Sequence, residues 1–282
     1  MTSSSVTPVL VLGGTGKTGR RVAAALTRAG FTPKIASRSG EVRFDWHSDT
    51  TWGPALEGVR AVYVVDSQGP DAPAEVAAFA EAARASGVER LVLLSARTWG
   101  ELGGETLATE RAVKDSGLDW TILRPAWFNQ NFAEEAWYTV PFSEGELRIP
   151  AGKGREPFID LEDLADVAVA ALTEDGHTGE TYVLSGPEAL TFDDVVAAVS
   201  ASTGRPLAYT PISREQYIEE QEARGYPPAF GEVLGDLFQH ISADGSAELS
   251  DGVRRAIGRE PKPFSDYVSR TDFGAVLDGK SV

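Results

Sequence analysis

The stretch Val9–Arg21, VLVLGGTGKTGRR, carries two overlapping glycine patterns. Gly16-Lys17-Thr18 is the ending of a P-loop. A P-loop also needs a glycine five residues earlier, and that position is Val11, inside an apolar run. Without it the loop is too short to wrap a triphosphate. The spacing Gly13-x-x-Gly16-x-x-Gly19 is left. It follows Val9–Leu12, a continuous apolar run that reads as a buried parallel strand. It precedes a helix over 20–29, with Val22, Ala25, Leu26 and Ala29 on one face and Gly30 at the C-cap. At a strand-to-helix junction each glycine has a use. Gly13 permits the tight turn, Gly16 lets the backbone approach a pyrophosphate, and Gly19 lets helix and strand pack closely. A glycine turn serving structure alone is the competing reading. The position of this one at the head of a β-α series favours a dinucleotide site.

The series continues along the chain. Strands are expected over 34–37, 61–65, 91–95 and 120–123. The last is expected to be cut off by Arg124-Pro125. Helices are expected over 73–86 and 105–116, stopped by Gly87 and Gly117. This rhythm predicts an α/β fold, a Rossmann-type doubly wound parallel sheet. Beyond it the chain changes character. A helix is expected over 160–173 with Asp160 as its cap, then a strand over 181–184 that returns to the sheet. Thr191 with Asp194, and Ser213 with Gln216, have the spacing of capping boxes. After Tyr209 the pattern is helical and proline-punctuated. The expected division is a dinucleotide-binding core over 7–155 and a small, mostly helical substrate lobe over 156–282.

With 282 residues the chain can bury a large core without cross-links. It has no cysteine, which excludes disulfides, thiolate catalysis and cysteine-based metal sites. Its three histidines are far apart, so no metal site is expected. A formal charge of −16 makes nucleic acid and anionic membranes poor partners. No run of about 18 apolar residues predicts a membrane span. MTSSSVTP has neither a basic nor an apolar leader region, so a cytoplasmic protein is expected. Monomer and homodimer are equally open.

Cofactor selectivity is read from the end of the second strand, IASRSG. NAD sites place an acid there for the ribose hydroxyls. Here stand Ser37, Arg38 and Ser39. Arg38 can hold a 2′-phosphate through charge-assisted bonds of about 1.5–3 kcal/mol, a roughly ten- to hundredfold preference for NADP(H) over NAD(H). Asp45, in VRFDWHSD, can accept from the adenine amino group. Against these stand the plainer readings of a solvated arginine and a surface aspartate.

The chain resembles the NmrA-like branch of the atypical short-chain dehydrogenase/reductases. VLGGTGKTGRRVA, FDWHSD…ALEGVRAVYVV, GVERLVLLSA, AVKDSGLDWTILRPAWFNQNF, GETYVLSGPEALTFDDVVAAVSASTG and the late GRE carry the likeness in family order over most of the chain. The resemblance implies an NADP(H) site. Pyrophosphate contact falls to Gly13, Thr15, Gly16, Lys17 and Thr18, with Gly19 closing the motif. The 2′-phosphate falls to Arg38 and adenine to Asp45. Val65, Asp66, Ser67, Ser95, Ala96 and Pro125–Phe128 would flank the nicotinamide.

One departure matters. Typical members use Tyr-x-x-x-Lys, the phenol protonating a carbonyl oxygen. No tyrosine here has a lysine four residues later. GELGGETLATERAVK, which should supply the pair, has Glu110 four residues before Lys114, read as a surface ion pair. Ser95 matches the serine that ends the fifth strand in the family. It is the candidate catalytic residue, as an oxyanion donor, against a strand-end serine bonding its own backbone. Trp99, Trp127, Phe128, Asn131 and Trp137 are the candidate substrate contacts for a bulky aromatic compound. Trp127, Phe128 and Phe132 could equally be core. The first expectation is an NADPH-dependent ketoreductase of an aromatic or polycyclic ketone with substrate-assisted protonation. A reductase of an iminium, conjugated alkene or quinone is the second, and a non-catalytic NADP(H)-sensing regulator the third.

Overall fold

The computed structural model describes residues 8–280. The N-terminal segment 1–7, on which the reading of a missing leader mostly rests, lies outside the described residues, as does residue 7 of the expected core. The elements run β1 (Val9–Leu12), α1 (Gly19–Arg28), β2 (Pro33–Ser37), β3 (Val42–Arg43), α2 (Trp52–Leu56), β4 (Ala61–Val64), α3 (Ala72–Ala85), β5 (Arg90–Leu94), α4 (Arg97–Leu102), α5 (Ala108–Lys114) and β6 (Asp119–Pro125). Then come α6 (Asn131–Glu134), α7 (Ala136–Glu144), β7 (Glu146–Ile149), α8 (Leu161–Thr173), β8 (Glu180–Leu184), α9 (Phe192–Thr203) and β9 (Ala208–Pro211). Five helices close the chain: α10 (Arg214–Ala223), α11 (Pro228–Ser242), α12 (Gly252–Ile257), α13 (Phe264–Arg270) and α14 (Phe273–Leu277).

The chain divides into two compact units. The first holds the described residues up to Pro125, with Leu161–Leu184 and Asp251–Glu260. It is a seven-stranded sheet in the order β3-β2-β1-β4-β5-β6-β8, parallel throughout. Strands β1 and β4 are buried on both faces, as a central parallel strand requires. Leu10, Leu12, Val62, Val64, Leu91, Leu93 and Ile122 share one core cluster with Trp52, Phe79 and Val113 of α2, α3 and α5. Alternate residues face the other way, toward α1 and α8. The strand expected over 181–184 does return to the sheet, pairing as β8 with β6. Its presence extends β6 through Arg124 and Pro125, which pair with Val183 and Leu184, so the proline does not cut the strand short. Pro125 is its last residue, where a missing N–H costs least. The helix expected over 105–116 begins as a 3-10 turn, Gly104–Leu107, because Gly103 and Gly104 both adopt positive φ.

The second unit holds Ala126–Asp160, Ser185–Ser250 and the described residues from Pro261. The expected division at 155/156 is replaced by interleaved segments. Residues 126–160 fall in this unit because their aromatic side chains bury together: Phe132, Tyr138, Phe142 and Phe158 join Phe192, Tyr217, Phe238 and Phe264 in one cluster. Phe132 is core. Both capping boxes form, Asp194 N–H donating to the Thr191 hydroxyl and Gln216 N–H to that of Ser213. A parallel pair, β7 with β9, was not expected in a helical lobe. No helix among the described residues is long and apolar enough to cross a membrane.

The late GRE acquires a role within the first unit. Arg259 donates to Asp163 and Asp166 of α8, each at 2.6 Å, and Asp163 is fully buried. Replacing Arg259 with alanine takes one charged donor from a buried carboxylate. Arg259 is itself about one-third exposed, which lowers the cost below that of a fully buried pair, to about 2–3 kcal/mol. Urea unfolding of Arg259→Ala should show that loss at neutral pH.

Candidate functional site

A cleft of about 450 Å³ opens at the carboxyl ends of β1, β2 and β4. This is where an open parallel sheet binds ligands. Its floor is the loop after β1. Gly13 sits at φ +61°, a conformation that L side chains rarely adopt. Gly16 N–H donates to the Gly13 carbonyl at 2.8 Å, and Gly14 N–H ties the loop to Ala36 of β2 at 3.0 Å. A Cβ on Gly19 would stand 2.3 Å from the Gly13 oxygen, so only glycine lets α1 start beneath the turn. Gly13, Thr15 and Gly16 line the cleft. Thr18 and Gly19 are buried below it and Lys17 is half-buried.

The opposite wall is richer than the sequence reading had it. Ser37, Arg38, Asp45, Val65, Asp66 and Ser67 line the cleft, and so do Phe44, Trp46 and His47. Phe44, Trp46, Trp52 and Phe79 pack edge to face. The Trp46 indole N–H donates to the Val65 carbonyl at 3.0 Å, tying the aromatic layer to the end of β4. Asp45 is held by its backbone, which accepts from the Trp52 indole and donates to Thr51. One carboxylate oxygen accepts from His47 N–H. Ser67 donates to Glu75 at 2.5 Å, and Glu75 also pairs with His47 at 2.8 Å. Asp66 has its carboxyl raised by burial, partly offset by hydrogen bonds from Gln68 and Thr109. The aromatic residues flanking Asp45 in VRFDWHSD were the available signal for this wall.

Two observations bear on what this cleft can hold. The Ser37 hydroxyl is buried with no partner among the described residues. Arg38 is exposed and makes no hydrogen bond or ion pair among the described residues. An unpaired guanidinium beside an unpaired hydroxyl suits a phosphate.

Ser95, Ala96 and Pro125 are not in this cleft; they stand at the ends of β5 and β6. There the structure corrects one expectation. Glu110 is not a surface residue: it is 2% exposed. Its contact with Lys114 is long, 3.9 Å. Its main partner is Arg124, which donates from Nε and Nη2 at 2.8 and 2.6 Å. The pairing crosses from helix to strand, so no helical spacing signalled it. Ser95 in turn donates its hydroxyl proton to Glu110 Oε1 at 2.7 Å. In this arrangement its proton is directed at Glu110. Gly100 makes room for this arrangement, since a Cβ there would lie 2.6 Å from Arg124 Nη1. Burial pushes the Glu110 carboxyl up, but the bonds from Arg124 and Ser95 and the charges of Arg124 and Lys114 outweigh it, leaving it below its ordinary value. Glu110 is thus an ionised acceptor and no proton source at neutral pH.

The candidate substrate residues separate. Trp99 is 38% exposed on α4 in the first unit. Trp127, Phe128, Asn131 and Trp137 belong to the second. Trp127 leans on its aromatic core, 5.2 Å from the Phe238 ring. Phe128 bridges to Ile159 through its backbone. Trp137 lines a separate small pocket.

The chain matches the NAD(P)H-binding family over residues 13–175. It is 33% identical to the uncharacterized oxidoreductase YesF of Bacillus subtilis over 93% of this chain and 94% of that one. It is 31% identical to the NAD(P)H azoreductase of Xenophilus azovorans over 92% and 96%. The NADPH-dependent quinone oxidoreductase QOR2 of Escherichia coli shares its fold, with a TM-score of 0.80 at 22% identity over 93% and 98%. The chain belongs to the NAD(P)H-binding family and is an NAD(P)H-dependent oxidoreductase.

Glu110→Gln should cost about 1.5–3 kcal/mol at neutral pH through the weakened bonds to Arg124. Because the Glu110 pKa is depressed in the fold, its contribution is full above the ordinary carboxylate range, about pH 4, and is lost as pH falls through the lowered value. Denaturant midpoints of the two proteins should therefore converge as the pH is lowered below about 4.

Proposed function

We propose that this member of the NAD(P)H-binding family is an NADPH-dependent reductase of planar aromatic acceptors whose double bond needs no proton from the protein, as in a quinone, an azo compound or an iminium. The observation that carries it is the commitment of both the Ser95 proton and the Glu110 carboxylate to one another and to Arg124. The relationship to an NAD(P)H azoreductase supports it. A ketone with its own neighbouring hydroxyl is the second reading, because it too brings its proton.

Gly13, Thr15 and Gly16 would face the pyrophosphate, with Lys17, Thr18 and Gly19 holding the loop. Ser37 and Arg38 would receive the 2′-phosphate and Asp45 the adenine amino group. Val65, Asp66 and Ser67 would stand along the ribose side. Ala96 and Pro125, at the ends of neighbouring strands, are assigned to the nicotinamide end. Trp99, on α4 just after β5, is assigned to the aromatic substrate. When bound, NADPH supplies a hydride, and the balancing proton comes from solvent or from the substrate's own hydroxyl. The chain's part is to orient the acceptor. Ser95 acts as a positioning residue that fixes Glu110 and Arg124.

Arg38→Ala should weaken NADPH about ten- to a hundredfold and leave NADH nearly unchanged, measured by titration of each cofactor. Equal losses for both would sink the assignment of the 2′-phosphate.

Loss of NADPH absorbance should report turnover with quinones, azo dyes, cyclic iminium ions and hydroxyl-flanked ketones, and almost none with plain aryl ketones. Ser95→Ala should keep that turnover within a few-fold. Fast reduction of plain ketones that Ser95→Ala abolishes would restore the serine as proton donor. Tight NADPH binding with no turnover on any class would point to a cofactor sensor.

A further inference from the structure

Two loops of the cleft in the first unit share one carboxylate. His47, in the loop after β3, and Ser67, in the loop after β4, both line the cleft. Glu75, in the first turn of α3, does not line it. The Ser67 hydroxyl donates to Glu75 Oε2 at 2.5 Å, and Glu75 Oε1 pairs with His47 Nδ1 at 2.8 Å. Each carboxylate oxygen thus holds one loop. The bond from the Trp46 indole to the Val65 carbonyl joins the same two loops a second time.

These contacts contribute conformation more than stability. The His47 side chain is 75% exposed, and an ion pair on so exposed a group nets little. Its ring makes no other hydrogen bond among the described residues, so Glu75 alone fixes where it stands. On the other loop, Gln68 directly follows Ser67 and adopts φ +57°, a left-handed conformation. A non-glycine residue keeps that conformation only where its surroundings impose it. Gln68 N–H donates to Asp66 and Gly69 N–H to the Ser67 hydroxyl. The Ser67 oxygen is held from within its loop, and Glu75 holds its proton from outside.

We propose that Glu75 is a positioning residue for the adenosine half of the cofactor. It sets both loops before the cofactor arrives, so that binding does not have to order them. The inference rests on the reading of this cleft as an NADP(H) site, with Asp45 at the adenine and Ser67 on the ribose side. It goes beyond that reading because Glu75 acts only through His47 and Ser67. The clamp makes no use of the 2′-phosphate, so it serves NADPH and NADH alike. Arg38 is assigned the opposite behaviour.

The test is calorimetric titration of the full chain with NADPH, NADH and the fragment 2′,5′-ADP. Glu75→Met keeps the length of the side chain and removes both contacts. It should weaken all three ligands about tenfold, the scale of re-ordering two released side chains. Glu75→Gln still accepts from Ser67 and can donate to His47, and should stay within about threefold of the unaltered protein. In the paired variant His47→Ala with Ser67→Ala, adding Glu75→Met should cost less than about a further twofold, because coupled residues do not add. That pair by itself should weaken the three ligands about tenfold, which keeps the proposal testable if Glu75→Met does not fold. Unaltered affinity in Glu75→Met, or in the pair, would overturn the proposal. So would equal losses in Glu75→Met and Glu75→Gln, a loss confined to NADPH, or a full further loss from Glu75→Met in the paired background. An unaltered protein that binds none of the three would sink the cofactor site itself, and is thereby told apart from a failure of Glu75.

Discussion

One buried carboxylate organises the end of the sheet where chemistry is expected. Glu110 accepts two bonds from Arg124 of β6 and one from Ser95 at the end of β5. It thereby ties α5 to two adjacent strands. A carboxylate this buried would be costly unpaired, and removing a partner would expose that cost. With its partners in place the network is satisfied, and its satisfaction has a chemical consequence. In this arrangement the serine's proton is directed at Glu110. The residue that stands where the family's phenol is expected is an anion, which accepts protons and does not give them at neutral pH.

The dinucleotide end depends on geometry more than on charge. Gly19 must approach the Gly13 carbonyl more closely than any side chain allows. The opposite wall is a packed aromatic layer whose Trp46 indole is tied to the end of β4 at Val65. The loop and that layer leave the buried Ser37 hydroxyl and the exposed Arg38 guanidinium without a partner among the described residues.

Much of the first unit was legible in the residues. Buried parallel strands announce themselves as short apolar runs, and glycines mark where helices start and stop. The capping boxes at Thr191 and Ser213 followed from spacing alone, because their partners are three residues away. What could not be read were pairings made across the fold. Glu110 with Arg124, and Arg259 with Asp163, join residues 14 and 96 positions apart. Local spacing instead suggested Glu110 with Lys114, which is real but long. The aromatic run from Trp127 to Phe142 was ambiguous for the same reason. A phenylalanine in a core and one in a pocket look alike until their neighbours are known. Phe132 proved to be core. Trp137 retains an unpaired indole, a property no pattern of residues displays.

The central claim is that the protein supplies no proton to the reduced acceptor. The pH dependence of hydride transfer from bound NADPH to a quinone, measured in a single turnover, tests it most directly. The account predicts a rate that is flat from about pH 6 to 9, because no group of the protein titrates into or out of an acid's role. A rate that falls through a single ionisation in that range, and loses the dependence in Ser95→Ala or Glu110→Gln, would contradict it.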